Sequence, residues 1–326
     1  VSPWLLGAWL LAQVPFEVDG FTRPLQVHFV SAETCASCHP ARAREWAASS
    51  HRASLTNRVF LDGFSVEPQR RCLVCHVPLA SQVLEATRHV GALVRGQVPA
   101  GTLHEGITCV TCHVRGGVVA APSEAALPYA HPLRHEPALR TSAFCATCHE
   151  FTGHSVVDGK TVLNEFAVQT TFTEWKTWGG AQSCQDCHMK SASHRVVGAH
   201  DTEFLRSALA LVVDGRVATV TAKNVGHEVP TGDVFRHLVL WADDEVLQVF
   251  GLELELGIDA NGQSGVFARK NTRLKPDVPV SVTIPPRARV VRLTYHFTSS
   301  TARPRPLLTR EDELVLVHEV MVARHP

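Results

Sequence analysis

Ten cysteines and 19 histidines among 326 residues are the side chains with the most chemistry to offer, and their spacing says which chemistry. All ten cysteines fall into pairs separated by two residues, and a histidine follows each pair at once. The five segments are CASCH (Cys35, Cys38, His39), CLVCH (Cys72, Cys75, His76), CVTCH (Cys109, Cys112, His113), CATCH (Cys145, Cys148, His149) and CQDCH (Cys184, Cys187, His188). C-x-x-C-H is the attachment motif of c-type haem. The two thiols add across two vinyl groups as thioethers, and the next histidine is placed so that its Nε2 reaches the iron as the proximal axial ligand. Zinc ribbons and disulfide frameworks also use such pairs. Chance would place histidine after all five pairs roughly once in a million such sequences. Zinc ribbons consume pairs in twos, whereas five is odd, and no cysteine is left over. The expectation is five covalently attached haem c groups.

Five proximal histidines leave fourteen others and two methionines, Met189 and Met321. Met189 directly follows His188 and cannot easily turn back to an iron. The expected sixth ligand is therefore histidine, which keeps the iron low-spin and its potential below that of a His/Met haem.

Elements must position these groups. The first cysteines of successive motifs are 37, 37, 36 and 39 residues apart, the length of chain needed to wrap one haem. Between Cys35 and His200 there is no long amphipathic helix and no alternating strand run. Such a stretch is expected to use its porphyrins as core, wrapped by short helices and loops. After Leu205 the character changes. SALALVVDGRVATVTAKNV reads as two strands with Asp214-Gly215 at the turn. HLVLWA, EVLQVFGLELEL, VPVSVTIP, ARVVRLTYHF and ELVLVHEVMVA are further strands, punctuated by Gly, Pro and Asn. Six to eight strands over about 120 residues suggest a β-sandwich of immunoglobulin-like size. The expected fold class is thus a mostly irregular and α haem-packed cytochrome domain followed by an all-β domain. Its divisions are an apolar N-terminal segment at 1–30, a pentahaem domain at 31–204 and a β-sandwich at 205–326.

Lys+Arg and Asp+Glu are both 31, so there is no basic field to hold nucleic acid. Hydrophobic content of 45% and charged content of 19% exclude a disordered or multi-span chain. VSPWLLGAWLLAQV, at the start, carries no charge before Glu17. It is shorter than the roughly 20 residues a membrane span needs. It reads as a signal-peptide remnant or as an apolar strip covered by a partner or neighbouring subunit.

SAETCASCHPARAREWAASSHRAS, RRCLVCHVPLASQ, EGITCVTCHVRGG, SAFCATCHEFTGHSV, TTFTEWKTWGGAQSCQDCHMKSASHRVVGAHD and NVGHEVPTGDVFRHLVL together cover most of residues 31–240. In combination they resemble a family of exported multihaem cytochromes related to the electron-accepting partner of hydroxylamine oxidoreductase. The resemblance implies haem-to-haem electron transfer, a β domain after the haems, and a compartment outside the cytoplasmic membrane: periplasmic, extracellular or an outer-facing membrane surface. By the same resemblance the distal ligands are His51, His131, His194, His200 and His227, with His89, His104 and His135 in reserve. His28, seven residues before the first motif, is a candidate ligand in trans to a neighbouring identical subunit. Arg236, Trp46, Trp175 and Trp178 could meet propionates or haem faces, or be plain core. Gly106 and Gly180 would permit close backbone approach to haem. Asp158-Gly159 and Thr231-Gly232 read as turns. The chain departs from enzymatic relatives, having no C-x-x-C-K motif and just two tyrosines, Tyr129 and Tyr295. The functional expectation is a non-enzymatic pentahaem wire between redox protein partners. Alternatives are a protomer of an extracellular cytochrome filament, a subunit of a membrane-associated complex held by the N-terminal segment, or a small nitrogen- or sulfur-oxide reductase at an open haem.

Overall fold

A computed structural model describes residues 30–66, 68–115, 117–123, 131–157, 160–178, 180–258, 264–298 and 313–322. The apolar start of the chain and His28 lie outside the described residues. The chain divides into two compact units, one of Val1–Thr147 with Cys184–Val196 and one of Cys148–Ser183 with Val197–Pro326. Residues 148–183 therefore group with the β-rich unit, which a division at 204/205 does not anticipate.

Short helices build the first unit: α1 (Ala32–Ala36), α2 (Pro40–Ala47), α3 (Arg58–Val66), α4 (Arg70–His76), α5 (Ala80–Arg88), α6 (Val90–Leu93), α7 (Cys109–His113), α8 (Ser142–His149) and α10 (Cys184–His188). Their limits follow local chemistry. Ser31 caps α1 by accepting from the Glu33 amide at 3.2 Å. Glu105 reinforces that end by accepting from Ser31 Oγ at 2.6 Å and the Ala32 amide at 2.8 Å. Pro40, whose ring presets a helical φ, opens α2 directly after His39. Thr108 and Thr111 form a capping box on α7. The apolar face of α3 buries Leu61 and Phe64, and Leu55, Leu73, Val77, Leu79, Val83, Leu93 and Leu103 are buried in the same unit. A small sheet follows α7, with β1 (Val114–Arg115) antiparallel to β2 (Val118–Ala121) and β2 parallel to β3 (Leu133–His135).

In the second unit β4 (Phe151–Val157) and β5 (Lys160–Gln169) pair as an antiparallel hairpin. This corrects the expectation of short helices and loops without a strand run between Cys35 and His200. Asp158-Gly159, read as a turn, lies outside the described residues. Two helices, α9 (Thr171–Trp178) and α11 (Thr202–Ala208), flank the fifth motif in sequence. Then come β6 (Leu209–Asp214), β7 (Val217–Ala222), β8 (His237–Ala242), β9 (Glu245–Phe250), β10 (Leu252–Ile258), β11 (Ser264–Asn271), β12 (Val280–Thr283), β13 (Val290–His296) and β14 (Leu314–Met321). They form antiparallel sheets in the orders β12-β7-β6, β14-β13-β8-β9 and β10-β11. Gly215, at φ 54°, lets the chain turn back within two residues between β6 and β7. Alternate residues of β7, Ala218, Val220 and Ala222, are buried, as are Leu238, Leu240, Val291, Leu293 and Tyr295 of β8 and β13. Arg206 Nε donates to the Val317 carbonyl at 3.0 Å, and His318 Nε2 meets the Leu209 carbonyl at 2.7 Å, which ties β14 to the start of β6. No helix among the described residues is long and apolar enough to cross a membrane.

Candidate haem-binding sites

Four of the five C-x-x-C-H segments lie wholly within one helix, α4, α7, α8 and α10, and CASCH begins in α1 and ends at His39, the residue before α2. Helical winding puts residues i, i+3 and i+4 on one face. Both thiols and the imidazole of each of these four helical motifs therefore face the same way, as a porphyrin edge and its iron would require. No disulfide joins any of the ten cysteines. Among the described residues, no three His, Cys, Asp or Glu side chains converge on a point that could hold a bare metal ion. The two thiols and one imidazole that each motif offers would suit a porphyrin, which brings its own nitrogens and would ask the protein for thioether attachment and axial ligands.

The imidazoles divide by which nitrogen the protein engages. His76 Nδ1 meets the Ser54 carbonyl at 2.6 Å, and His113 Nδ1 meets the Ala120 carbonyl at 2.9 Å. His194 Nδ1 meets Ala192 O at 3.1 Å, and His227 Nδ1 meets Glu228 O at 2.9 Å. Donation from Nδ1 to a carbonyl fixes the tautomer that carries its proton on Nδ1 and its lone pair on Nε2, the nitrogen that would meet a metal. His104 and His318 do the reverse, engaging Val98 O at 3.2 Å and Leu209 O at 2.7 Å through Nε2. This orientation turns His104, one of the reserves, toward a structural role.

Two pairings stand out in the first unit. The rings of His113 and His194 have centres 6.0 Å apart and planes inclined by 21°. Two imidazoles bound to one metal through bonds of about 2 Å stand with ring centres about 6 Å apart. His51 lies beside His188: burial first, and the neighbouring His188 second, hold its pKa down to about 4. Aromatic packing orients others. Phe60 stacks on His76 at 3.8 Å. His200 is exposed as a residue, yet its ring lies flat on Phe297 at 4.2 Å in the second unit. Desolvation of that ring, then the charge of Arg236, holds its pKa at about 4. His131 is exposed, with Nδ1 3.3 Å from the Pro132 carbonyl.

The thiols also meet across motifs. Cys109 sits against Cys35, and burial, then Cys35, pushes its pKa up to about 12. Cys184 is lowered to about 6, chiefly by a hydrogen bond from Cys145 and further by Ser142, whose Oγ is 3.0 Å from the Cys184 amide. The first motif thus adjoins the third, and the fourth adjoins the fifth.

Other residues singled out from sequence serve the protein itself. Trp46 Nε1 donates to Ile107 O at 2.8 Å and Trp175 Nε1 to Gln182 O at 2.7 Å. Arg236 bonds to the buried Tyr295 hydroxyl. Gly106 approaches backbone rather than haem, since a Cβ there would stand 2.6 Å from the carbonyls of both His51 and Arg52. A buried ion network was not visible in the sequence. Arg273 contacts Glu174 of α9 at 2.6 Å and Glu228 at 2.7 Å, with all three side chains about a tenth exposed or less. Asn271 donates to the same Glu228 carboxylate at 2.9 Å. Glu228 follows His227, so this network fixes the loop that presents His227.

Comparison with known proteins gives one informative likeness. The chain is similar in structure to a penta-haem cytochrome c552 from Thermochromatium tepidum, with a TM-score of 0.64 and 21% identity over 90% of this chain and 99% of that one. This likeness is one of fold. No protein-family model and no curated protein matches the chain.

Proposed function

We propose that this chain is an electron-transfer protein carrying five haem c groups, one at each C-x-x-C-H segment, mainly with two histidine ligands. The observation that carries the reading is the 6.0 Å separation of the His113 and His194 ring centres with their planes nearly parallel, each ring with Nδ1 held by a carbonyl. The penta-haem content of the structurally similar cytochrome supports the same count. The haem would supply the one-electron iron couple. The chain's part is to hold each group by two thioethers, to orient the imidazoles through their Nδ1 bonds, and to exclude water with residues such as Phe60 and Phe297. His194 is proposed as the distal partner of His113, and His51 as that of His188. His131, His200 and His227 complete the proposed distal set, with His28 as a ligand in trans.

The contacts of Cys35 with Cys109 and of Cys145 with Cys184 support close haem neighbours within each pair of motifs. We read the three- and four-stranded sheets as the expected immunoglobulin-like sandwich, following a pentahaem region. Thioether attachment supports an exported location. Partners are redox proteins or identical subunits, in a filament or a membrane-associated complex. Pyridine haemochrome content tests the count: five haems per chain are expected, and three or fewer would overturn it. Low-temperature EPR of the oxidised protein tests the ligation, since a dominant high-spin signal with rapid nitrite binding would favour a reductase instead.

A further inference from the structure

Residues 49–54 connect α2 to the helices that follow, and they meet both the second haem-binding segment and residues 106–107, which precede the third. We propose that Gly106 and Ser54 form a shared clamp that holds the axial imidazoles of two different haems, those of His76 and His51, in a fixed relation. This inference rests on the haem reading given above.

The contacts on the clamp are mutual. Ser54 Oγ donates to the His76 carbonyl at 2.6 Å while His76 Nδ1 meets the Ser54 carbonyl, also at 2.6 Å. Ser54 is therefore bonded to the last residue of α4 through both backbone and side chain. Three residues earlier, the His51 carbonyl accepts from the Ile107 amide at 3.0 Å. Ile107 is in turn fixed by Trp46, whose indole donates to the Ile107 carbonyl at 2.8 Å. Between these bonds lies Gly106, at φ 53°. A Cβ at that position would meet Ser54 Oγ at 2.5 Å and the carbonyls of Arg52 and His51 at 2.6 Å. Glycine is required both by its conformation and by this approach of backbone to backbone. Gln82, fully buried, locks the far side by donating from Nε2 to the Thr102 carbonyl at 2.9 Å and the Gly106 carbonyl at 3.2 Å.

The consequence is a positioning role. The Nδ1 bond to a carbonyl sets ligand orientation and basicity, and with them the potential of a bound iron. One displaced segment would move the Nδ1 acceptor of His76 and the backbone of His51 together. Packed segments of this kind transmit small shifts instead of absorbing them.

The test uses the full-length holoprotein carrying Gly106→Ala, read by haemochrome content, EPR and a potentiometric titration. All five haems are expected to remain, because the thioethers hold them. Two low-spin signals should shift together with their potentials, and one of them should be the signal that is lost in His51→Ala. A change in none, in one alone, or in three or more signals overturns the clamp. Should Gly106→Ala fail to fold, Ser54→Ala removes the hydroxyl tether alone. One low-spin signal other than the one lost in His51→Ala should then shift with its potential, and spectra identical to wild type, or a shift confined to the His51 signal, overturn the proposal. Fewer than five haems or dominant high-spin iron in the wild type would instead bring down the haem reading itself.

Discussion

From Leu209 to Val322 buried apolar residues recur along β6, β7, β8, β13 and β14, so the sheets of the second unit cover their own core. Around the fourth and fifth motifs, at 131–149 and 184–196, none of the described apolar side chains is buried. Both stretches still form helices of defined ends, α8 and α10, held by polar contacts such as Gln185 Nε2 to the carbonyls of Leu139 at 3.0 Å and Thr141 at 2.8 Å. Net stabilisation from such bonds is about 1 kcal/mol each, too little to order a long segment against chain entropy. The contrast teaches that the β-rich unit folds on its side chains, while the described side chains around the last two motifs form no such core; on the haem reading proposed above, the porphyrins would complete it.

The most severe way to break this comparison is to withhold the cofactor. In full-length chain produced without haem attachment, amide hydrogen exchange is expected to stay slow in β6–β8 and β13 and to become fast throughout 131–149 and 184–196. Equal protection in the two regions would show that the motif segments carry a core of their own.

Next in size is the ion network of the second unit. Arg273→Met leaves Glu174 and Glu228 buried together without their shared cation. A buried charge stripped of its partner typically costs about 3–5 kcal/mol. Denaturant unfolding of the holoprotein should report a loss of that order, and Glu174→Gln, which removes one of the two negative charges, should cost less. A loss under about 1 kcal/mol would place the network with ordinary surface pairs.

A smaller, local effect separates ligand from scaffold in the first unit. His194→Ala is expected to keep five haems by haemochrome assay and to convert one low-spin signal to high-spin. The His194 amide bonds to Glu45 Oε2 at 2.9 Å through its backbone, so this anchor survives the substitution. Five unchanged low-spin signals would remove His194 from the ligand set.

Much of this was legible in residue types. The five motifs declare themselves by spacing, β8 coincides with HLVLWA, and the β6–β7 turn falls at the Asp-Gly signal. Other features were hidden for physical reasons. EVLQVFGLELEL reads as one strand, but it breaks at Gly251, where a Cβ would stand 2.9 Å from that of His237. Such an approach depends on tertiary packing. The approach of His113 to His194 was equally hidden, since both rings are oriented by backbone carbonyls, of Ala120 and Ala192, that any residue could offer. Likewise Arg273 reaches Glu174 across 99 residues, a separation that no local pattern marks.

The smallest expected effect is a pH dependence that belongs to the β-rich unit. His237 and His296 are opposite each other on β8 and β13, their rings stacked with centres 4.6 Å apart. His296 Nε2 lies 2.8 Å from Thr294 Oγ1. Burial first, and the adjacent His237 second, lower the His296 pKa from 6.5 to about 4. The neutral ring is thus the native form. Above pH 6.5 the folded and unfolded chains both hold it neutral, and its contribution to stability is fully present. As the pH falls from 6.5 toward 4, the unfolded chain binds a proton that the folded chain refuses, so stability declines, and the loss is complete once the folded ring is protonated too. Unfolding followed in the β-rich unit should therefore weaken more steeply over this window in wild type than in His296→Gln, whose amide does not titrate. The haem EPR signals should be the same in both proteins, because His296 turns Nε2 to a hydroxyl. Equal slopes would remove His296 as the source of acid sensitivity, and an altered EPR signal would move it from the scaffold to the ligand set.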